Sequence, residues 1–519
     1  MKLEFDLGNP NFTLLHRAGV AGLWMTLKQF EKEKIAVKYE LKWQLSQRQV
    51  NLSWEGNDKE FLDWFLKESF QLNNGIIALR GLDTQSIRED AQVIVHQGIL
   101  GTLLQHTSTH KSDGVVTKSL SLGENEPEIQ VKYKSLTRYA YQEFAGNLCD
   151  KKGQLLTKAI SVAGWLNPGA AVRHIAFSSD TSFEELPENA FILLFAPVAC
   201  YYYILRSKLR DKRAQYALVI PEITNLEKYA NYRQNQHLRN ASYKDFHASG
   251  LGDAGLKFLT LDATANIAQT FGIQRCQVLT LGTVAWATQQ KTRTDMYVIE
   301  ANDEVCHNYQ VCDNWLKDKG IAGKDGGFVA TSFAKELIAE NLAKNLPWYF
   351  GISDKVNSNE LFKKLAYERG GLYQVIQKIQ SDELEKLFVK TCHEAINYTY
   401  GKISDVAKKR REIPNFDRET VRIRTGLGRC KNSETFREFI TDFWSRAGKL
   451  PTLQKHWEEL MEFVMLEKNW KKSRDLALLA LASYKGTGDS QKGKEDSNEE
   501  EINDHENTVD DENIIDIDI

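Results

Sequence analysis

Two kinds of hydrophobic periodicity divide this 519-residue chain, and they constrain its fold more than any other feature. Up to about residue 370, runs that alternate apolar and polar residues, such as Leu3–Leu7, are interleaved with helical spacings. From 371 to 485 only helical spacing remains, as in Phe436, Phe439, Ile440 and Phe443. Because no regular strand–helix–strand repeat occurs, the pattern predicts an α+β fold: a mixed region with short antiparallel strands and helices at 1–370, then a C-terminal helical bundle at 371–485.

The strand signals in the first region form pairs. Ala36–Trp43 and Gln49–Trp54 are expected to make one hairpin, and Val115–Leu122 with Glu128–Tyr133 a second. Two apolar runs are interpreted as buried strands, namely Phe191–Phe195 and Tyr216–Ile220.

One helix has an unusually small face. It is predicted to begin at about Thr13, which can cap it. Gly19 and Gly22, with two alanines, leave little side-chain volume on one side. We therefore expect another backbone to approach this helix closely.

Charge separates a third region. Residues 486–519 carry 13 Asp and Glu against two Lys, whereas the rest of the chain has 65 basic and 57 acidic residues. The composition predicts a disordered acidic tail at 486–519 and favours a solubilising role for it, although it could also mimic nucleic acid or shield basic surfaces. The mildly basic body is suited to contact with phosphates.

No catalytic motif emerges, so the sequence predicts a protein without enzymatic activity and without a cofactor or metal. A P-loop, HExxH, GxSxG and kinase-type motifs are all missing from the sequence. Gly250–Gly255 has GxGxxG spacing but follows no buried strand, so it is interpreted as a polar loop. Convergence of Asp253, Asp262, Glu300 and Asp303 on a metal would make a nuclease, and no spacing favours it.

Cysteine usage and the N-terminal residues bear on the compartment. The seven cysteines include no CxxC pair, and the first residues show no apolar signal-peptide core. The most apolar run, Ala190–Leu205, is too short to span a bilayer. These features favour a cytoplasmic protein with reduced thiols.

Clustered cations are the most informative chemical feature. Two clusters are expected to bind nucleic-acid phosphates: Arg206, Lys208, Arg210, Lys212 and Arg213 in the first, and Lys408, Lys409, Arg410, Arg411, Arg418, Arg422, Arg424, Arg429 and Lys431 in the second. In an extended segment Arg422 and Arg424 would share a face, and Gly426 and Gly428 would let a ligand approach the backbone. A solvated charged surface is the alternative for either cluster.

A polar stretch beyond the first cluster is the candidate for reading bases. It contains Asn231, Arg233, Gln234, Asn235 and Gln236. Asn and Gln pair with adenine, and Arg pairs with guanine, through two hydrogen bonds each. An ordinary polar helix would have the same composition.

Three segments carry a family resemblance. They are Leu14–Leu23, Tyr216–Ile223 with the following Asn225-Leu226, and Asn341–Tyr349. Similar segments occur in the same order in the large subunits of type I CRISPR Cascade surveillance complexes, of the Myxan-type or I-B-like branch. The chain resembles this family across most of its length before the acidic tail.

The resemblance implies a role without catalysis. Such a subunit recognises a protospacer-adjacent motif in target double-stranded DNA, helps to open the duplex, and holds the displaced strand with a bundle similar to the small subunit. Its implied partners are crRNA, the backbone and guide-end-binding subunits of Cascade, and a recruited helicase-nuclease or transposition proteins, with no membrane. A general RNA- or DNA-binding scaffold outside CRISPR remains the alternative.

Overall fold

The structure is a computed structural model that describes residues 1–83, 86–123, 126–168, 171–172, 181–206, 216–233, 241–261, 275–286, 289–323 and 327–485. It divides into two compact units. Unit 1 comprises Met1–Phe350 together with Lys378–Gln380, and unit 2 comprises Gly351–Gln377 and the chain from Ser381 onward. The division at Phe350 precedes the boundary at residue 370 that periodicity suggested.

Unit 1 begins with short strands and helices in alternation. In chain order to residue 161 these are β1 (Lys2–Asp6), α1 (Leu14–Glu33), β2 (Lys42–Leu45), β3 (Gln49–Ser53), α2 (Asp58–Ser69), β4 (Phe70–Asn73), β5 (Ile76–Leu79), α3 (Glu89–Gly101), β6 (His110–Ser121), β7 (Glu128–Tyr139), α4 (Ala145–Leu148) and β8 (Ile160–Ser161). All pairing among β1 to β7 is antiparallel: β3 lies between β1 and β2, β4 pairs with β5, and β6 pairs with β7.

The remainder of unit 1 is organised around a five-stranded sheet. Its elements are β9 (Ala171–Val172), β10 (Thr181–Ser182), β11 (Glu184–Glu185), α5 (Pro187–Leu193), α6 (Ala196–Ala199), β12 (Tyr201–Leu205), β13 (Tyr216–Pro221), α7 (Leu226–Tyr232), β14 (His247–Ala248), α8 (Leu251–Leu259), β15 (Arg275–Trp286), β16 (Gln289–Glu300), α9 (Asp303–Trp315), β17 (Lys319–Ile321), β18 (Phe328–Ala330) and α10 (Phe333–Leu342). The sheet order is β14-β12-β13-β15-β16, in which only β12 and β14 are parallel.

Unit 2 is helical throughout its described part. Its helices are α11 (Ile352–Lys355), α12 (Asn359–Tyr367), α13 (Arg369–Lys378, of which the last residue belongs to unit 1), α14 (Glu383–Arg410), α15 (Asp417–Arg429), α16 (Ser433–Ala447), α17 (Pro451–Lys455), α18 (Trp457–Met465) and α19 (Trp470–Ser483). From Ser473 to Ser483 every residue of α19 is buried, since it contacts α14, α15, α16 and α18. The predicted α+β fold with a helical C-terminal region is therefore confirmed.

The small face of α1 is closely approached by another backbone, as its glycines predicted. Thr13 caps the helix, and the helix packs against α5 and α6. A Cβ placed on Gly19 would lie 2.2 Å from the carbonyl oxygen of Ile192, and one on Gly22 would lie 1.9 Å from that of Phe195. Only glycine allows the backbones to come this close.

Two local predictions in unit 1 were wrong. Phe191–Phe195 lies largely in helix α5, which Pro187 begins at its first position, because a short apolar run does not by itself distinguish a strand from a buried helix. The first predicted hairpin does form, although its pairing starts only at Lys42, since Tyr39 and Glu40 have φ angles of 59° and 47°.

The interpretation of the glycine-rich segment from Gly250 to Gly255 is the second wrong prediction. It forms the start of α8 and is buried, where a polar loop was expected. A Cβ on Gly252 would lie 2.8 Å from the carbonyl oxygen of Ala339, and one on Gly255 would lie 2.4 Å from Cδ1 of Ile299. These glycines therefore let α8 fit between α10 and the sheet, and their spacing reflects packing.

Candidate nucleic-acid interface

The C-terminal end of α14 presents four consecutive cations. Lys408, Lys409 and Arg410 occupy its last turn, and all three are exposed. Arg411 ends the helix in the left-handed conformation, with φ of 55°, and its backbone N–H donates to the carbonyl of Lys408. Cations are favoured at this end of a helix by its dipole, which is the structural explanation for part of the cluster.

The arginines that follow lie on a helix. Since α15 runs from Asp417 to Arg429, the extended conformation considered for Arg422 and Arg424 is wrong. At about 100° per residue, Arg418, Arg422 and Arg429 fall within about 40° of one another, whereas Arg424 projects roughly 160° away from Arg422. The side chain of Arg424 is half-buried, and its Nε is enclosed.

Gly426 does not open the backbone to a ligand. A Cβ there would lie 2.3 Å from the ring of Phe439 on α16, so this glycine serves the packing of α15 against α16. Gly428 is exposed and has open space around it. The predicted role in ligand approach is therefore wrong for Gly426, and it stays a prediction for Gly428.

Interior contacts fix the position of α15. The ring of Tyr400 on α14 stacks on Phe416 with centroids 4.7 Å apart, and its hydroxyl lies 2.5 Å from Oγ1 of Thr420. Ile423 and Leu427 are buried on the inner side of the helix. After the helix ends, Nη1 of Arg474 donates to the carbonyl of Cys430 at 3.2 Å. The exposed Arg418 and Arg429 therefore lie on a helix whose position is fixed by buried contacts.

Seven of the nine cations in the second cluster are exposed, and none of the seven forms an ion pair with any described residue: Lys408, Lys409, Arg410, Arg411, Arg418, Arg429 and Lys431. We call residues 408–431 the basic segment. Arg422 differs, because its Nε donates to Oε2 of Glu419 at 2.9 Å. That hydrogen bond raises the pKa of Arg422. The segment thus offers uncompensated positive charge to an anionic polymer.

The first predicted cluster is described only at Arg206. Its side chain is exposed just beyond the end of β12, and its backbone N–H donates to the carbonyl of Ala248 at 2.9 Å. Lys208, Arg210, Lys212 and Arg213 lie outside the described residues.

Only some of the base-reading candidates lie within the described residues. Asn231 is exposed on α7, whereas Gln234, Asn235 and Gln236 lie outside the described residues. Arg233 is only 1% exposed: its Nη2 donates to the carbonyl of Cys200 at 2.7 Å, and its guanidinium lies 3.9 Å from the centroid of the Tyr201 ring. A buried guanidinium cannot reach a base edge, so Arg233 has a structural position here.

Of the four acidic residues considered for a metal site, Asp262 lies outside the described residues, and Asp253 and Glu300 have different partners. Asp253 is fully buried, where it accepts hydrogen bonds from Tyr309 and Ser249 and lies 4.0 Å from Nζ of Lys335. Glu300 pairs instead with Arg275 at the sheet edge. Among the described residues no group of three or more His, Cys, Asp or Glu side chains is placed to hold a metal ion.

Sequence reasoning missed the aliphatic side chains within and beside the basic segment. Ile413 is 93% exposed, and Val406 and Val421 are 48% and 44% exposed. The available signal was an isoleucine placed between Glu412 and Pro414 in a short connection, where neither helical nor strand periodicity calls for an apolar residue.

Two family models match separate parts of the chain. Residues 4–194 match the DevT N-terminal domain, and residues 377–516 match the DevT C-terminal domain. The DevT C-terminal match includes the whole basic segment. The chain is therefore similar to the DevT family in an N-terminal and a C-terminal part.

A full-length relative agrees with the DevT matches. The CRISPR-associated protein Cas8a1/Csx13 of Myxococcus xanthus (strain DK1622) is 28% identical to this chain over 539 aligned positions, which cover 96% of this chain and 91% of that protein. This similarity supports a CRISPR-associated large subunit, as the sequence resemblance indicated. In the described part of the chain, no helix has both the length and the apolar character needed to cross a membrane.

Proposed function

We propose that this chain is the non-catalytic large subunit of a type I CRISPR RNA-guided DNA surveillance complex. The observation that carries the proposal is the similarity to a CRISPR-associated protein along 96% of the chain. In this role the chain works with crRNA, with target DNA and with the backbone and guide-end-binding subunits of Cascade. A helicase-nuclease or transposition machinery acts after it.

The finer role assigned to unit 2 is to hold the displaced DNA strand. Seven exposed cations of the basic segment have no ion-pair partner among the described residues, so phosphate contacts need not first break an ion pair. Binding through phosphates is independent of sequence, which suits a strand whose sequence changes with every target. Base pairing with the guide supplies the sequence specificity.

Recognition of the protospacer-adjacent motif is assigned to unit 1. The side chains of Arg206 and Asn231 are exposed, which supports this assignment. An exposed Asn can form paired hydrogen bonds with adenine, and an exposed Arg can contact a phosphate or guanine. Opening of the duplex would follow from the binding of motif and displaced strand together.

The thiols support a role without nucleophilic chemistry. All seven cysteines are free, and six of them are buried. Burial raises the pKa of Cys430 to about 11 and that of Cys392 to about 12. Because only the thiolate is a strong nucleophile, these groups are unreactive at neutral pH. Free, protonated thiols also suit the reducing cytoplasm, in which we place the complex.

Copurification tests this proposal. A tagged chain is expressed with its neighbouring genes, and the RNA in the eluate is sequenced; the same chain expressed without those genes is the control. We expect a stoichiometric complex that carries short guide RNA of uniform length. If the chain elutes alone, without guide RNA, while its neighbours are expressed, the proposal is wrong.

The basic segment alone also suits a general RNA- or DNA-binding scaffold outside CRISPR. The two functions differ in their partners, because a scaffold would bring down heterogeneous RNA or DNA without a fixed guide length. The same sequencing experiment therefore decides between them.

A further inference from the structure

The surface of the basic segment is suited to a ligand that is both acidic and aliphatic. Ile413 follows Arg411 by two residues, Val406 precedes Lys408 by two, and Val421 adjoins Arg422. All three aliphatic side chains are exposed. Phosphates use only the cations. Covering exposed aliphatic area is favourable by about 25 cal/mol per Å², so a ligand with apolar side chains would gain further stabilisation there.

The acidic tail, residues 486–519, has the matching chemistry. It carries 13 acidic residues against two lysines, and its last residues read Asn513-Ile514-Ile515-Asp516-Ile517-Asp518-Ile519. Aspartates there alternate with isoleucines. Such a sequence can offer carboxylates to cations and aliphatic side chains to Ile413 and its neighbours at the same time.

The described chain ends beside the helices that carry the basic segment. The hydroxyl of Tyr484 lies 2.7 Å from Oδ1 of Asn397 on α14, and its ring meets that of Tyr400 edge-on with centroids 5.4 Å apart. Tyr400 in turn contacts Phe416 and Thr420, at the start of α15. The described chain therefore ends next to the middle of α14 and the first turn of α15.

The distance to be covered is short. Along α14, Tyr400 and Lys408 are separated by about 12 Å at 1.5 Å per residue. An extended chain advances about 3.3 Å per residue, so roughly four residues of the acidic tail reach the first cation and the remainder can lie along the segment. A tether this short gives an effective concentration of about a millimolar or more, which makes even weak contacts significant.

We propose that the acidic tail docks on the basic segment of its own chain and occupies it until nucleic acid displaces it. The tail's carboxylates pair with the exposed cations, and its isoleucines cover Ile413 and the neighbouring valines. Only a polyanion of high charge density would displace the acidic tail. Short or weakly charged anions would therefore not bind to the basic segment. The regulatory part rests on the proposed function, whereas the contact itself does not.

A binding experiment in trans tests the contact. A fluorescent peptide of residues 486–519 is titrated with the chain ending at Lys485, and anisotropy is followed at about 50 mM and 200 mM salt. We expect saturable binding that weakens at least severalfold at the higher salt. Ile413→Ser should weaken it further, while Val37→Ser, which changes an exposed valine in unit 1, should not. Absence of binding at low salt overturns the proposal.

A second experiment measures competition in the intact chain. Single-stranded DNA of arbitrary sequence is titrated with the full chain, with the chain ending at Lys485, and with a full chain whose tail acids are changed to Asn and Gln. We expect the last two to bind about tenfold more tightly than the first at low salt, with the difference shrinking at high salt. Equal affinities for all three, with DNA bound, overturn the competition.

Ile413→Ser separates the two ligands. It should weaken the peptide but leave DNA affinity unchanged, because phosphates do not need the aliphatic side chain. If the peptide binds but the chain ending at Lys485 does not bind DNA, the docking stands and the proposed nucleic-acid role of the segment is wrong. If DNA binds but the peptide does not, the nucleic-acid role stands and the docking is wrong.

Discussion

Glu419 holds Arg422 through two hydrogen bonds, from Nε at 2.9 Å and from Nη2 at 2.5 Å. Arg422 lies in the same row as Arg418 and Arg429, so the middle arginine of the row on α15 is partly neutralised by its own helix. Nucleic acid must therefore compete with a carboxylate for this guanidinium, though not for the two on either side.

Removing that carboxylate should strengthen binding. In Glu419→Gln the guanidinium of Arg422 is released, and we expect affinity for single-stranded DNA to rise about two- to fivefold, with a salt slope steeper by up to about 0.7. Titrations at several salt concentrations measure both. Glu360→Gln removes the same charge from an i,i+4 pair on α12 and controls for net charge. An equal gain in both variants would show that only overall charge matters.

The row of arginines on α15 should act as a unit that excludes Arg424. Changing Arg418, Arg422 and Arg429 to Gln together should lower the salt slope by about 0.7 for each phosphate of a single strand that is no longer neutralised, and weaken binding to all sequences alike. Arg424→Gln is the matched control, since that side chain is half-buried on another side. A larger reduction from Arg424→Gln than from the three together would place the interface elsewhere.

The close approach of α1 to α5 should make Gly19 intolerant of any side chain. In Gly19→Ala the new methyl group would meet the carbonyl oxygen of Ile192 at 2.2 Å, and a backbone atom cannot move aside cheaply. We expect the free energy of unfolding to fall by about 2 kcal/mol or more, measured by denaturant titration. Gly146→Ala in α4 is the control, because nothing lies within 4 Å of its Cβ position. Similar decreases in both variants would contradict the packing argument.

Lys335 should be among the most sensitive charges in unit 1. Its Nζ lies 3.0 Å from Asp318 and 3.1 Å from Asp313, with Asp253 at 4.0 Å. Burial alone would lower the pKa of Lys335, but these carboxylates raise it above its usual value. Lys335→Met removes the lysine shared by the buried carboxylates of Asp253 and Asp318 and should cost about 3–5 kcal/mol of unfolding free energy.

The control for Lys335 is Lys344→Met. Lys344 is partly exposed and lies 3.6 Å from Glu340, so its removal should cost less than about 1 kcal/mol. Both variants are compared by denaturant titration at neutral pH. A cost for Lys335→Met that matched this control would show that water compensates the buried carboxylates.

Acid should destabilise unit 1 through His96. Burial lowers the pKa of His96 to about 4. Its Nδ1 accepts the N–H of Ile77, and its Nε2 lies 2.7 Å from the carbonyl of Lys134, so the folded state needs the neutral ring. The unfolded pKa is about 6.5, hence the contribution is complete above pH 6.5 and is lost as the pH falls from 6.5 towards 4, to a total of about 3 kcal/mol.

Denaturant titrations between pH 4 and 7.5 measure this destabilisation. His96→Gln should flatten the pH dependence of the unfolding free energy, and His307→Gln, at an exposed position, is the matched control substitution. Parallel curves for wild type and His96→Gln would exclude His96 as the source.

The features predictable from sequence were those with strong local signals. The hairpin of β6 and β7, the cap at Thr13 and the close approach at Gly19 and Gly22 follow from alternation, hydrogen-bonding side chains and missing Cβ atoms, which act within a few residues. The apolar run Phe191–Phe195 was assigned wrongly, because its burial on all sides erases the periodicity that separates helix from strand.

The candidate interface was only partly predictable, for a related reason. Composition locates the cations of the basic segment, but their grouping depends on whether the backbone is helical, and this separates Arg424 from Arg422. Burial of Arg233 and exposure of Ile413 are set by tertiary packing. No spacing in the sequence carries that information.

The three residues Lys378–Gln380 belong to unit 1, although the chain on both sides of them belongs to unit 2. Asn308 binds Gln380 twice, through its side-chain amide and carbonyl. If the helical part were also produced as a separate polypeptide, no single start codon would separate unit 2 from unit 1. A start at residue 381 would omit α11 to α13, and one at residue 351 would carry three residues whose partners stay on the other product. No methionine codon lies between Met296 and Met461 to provide either start.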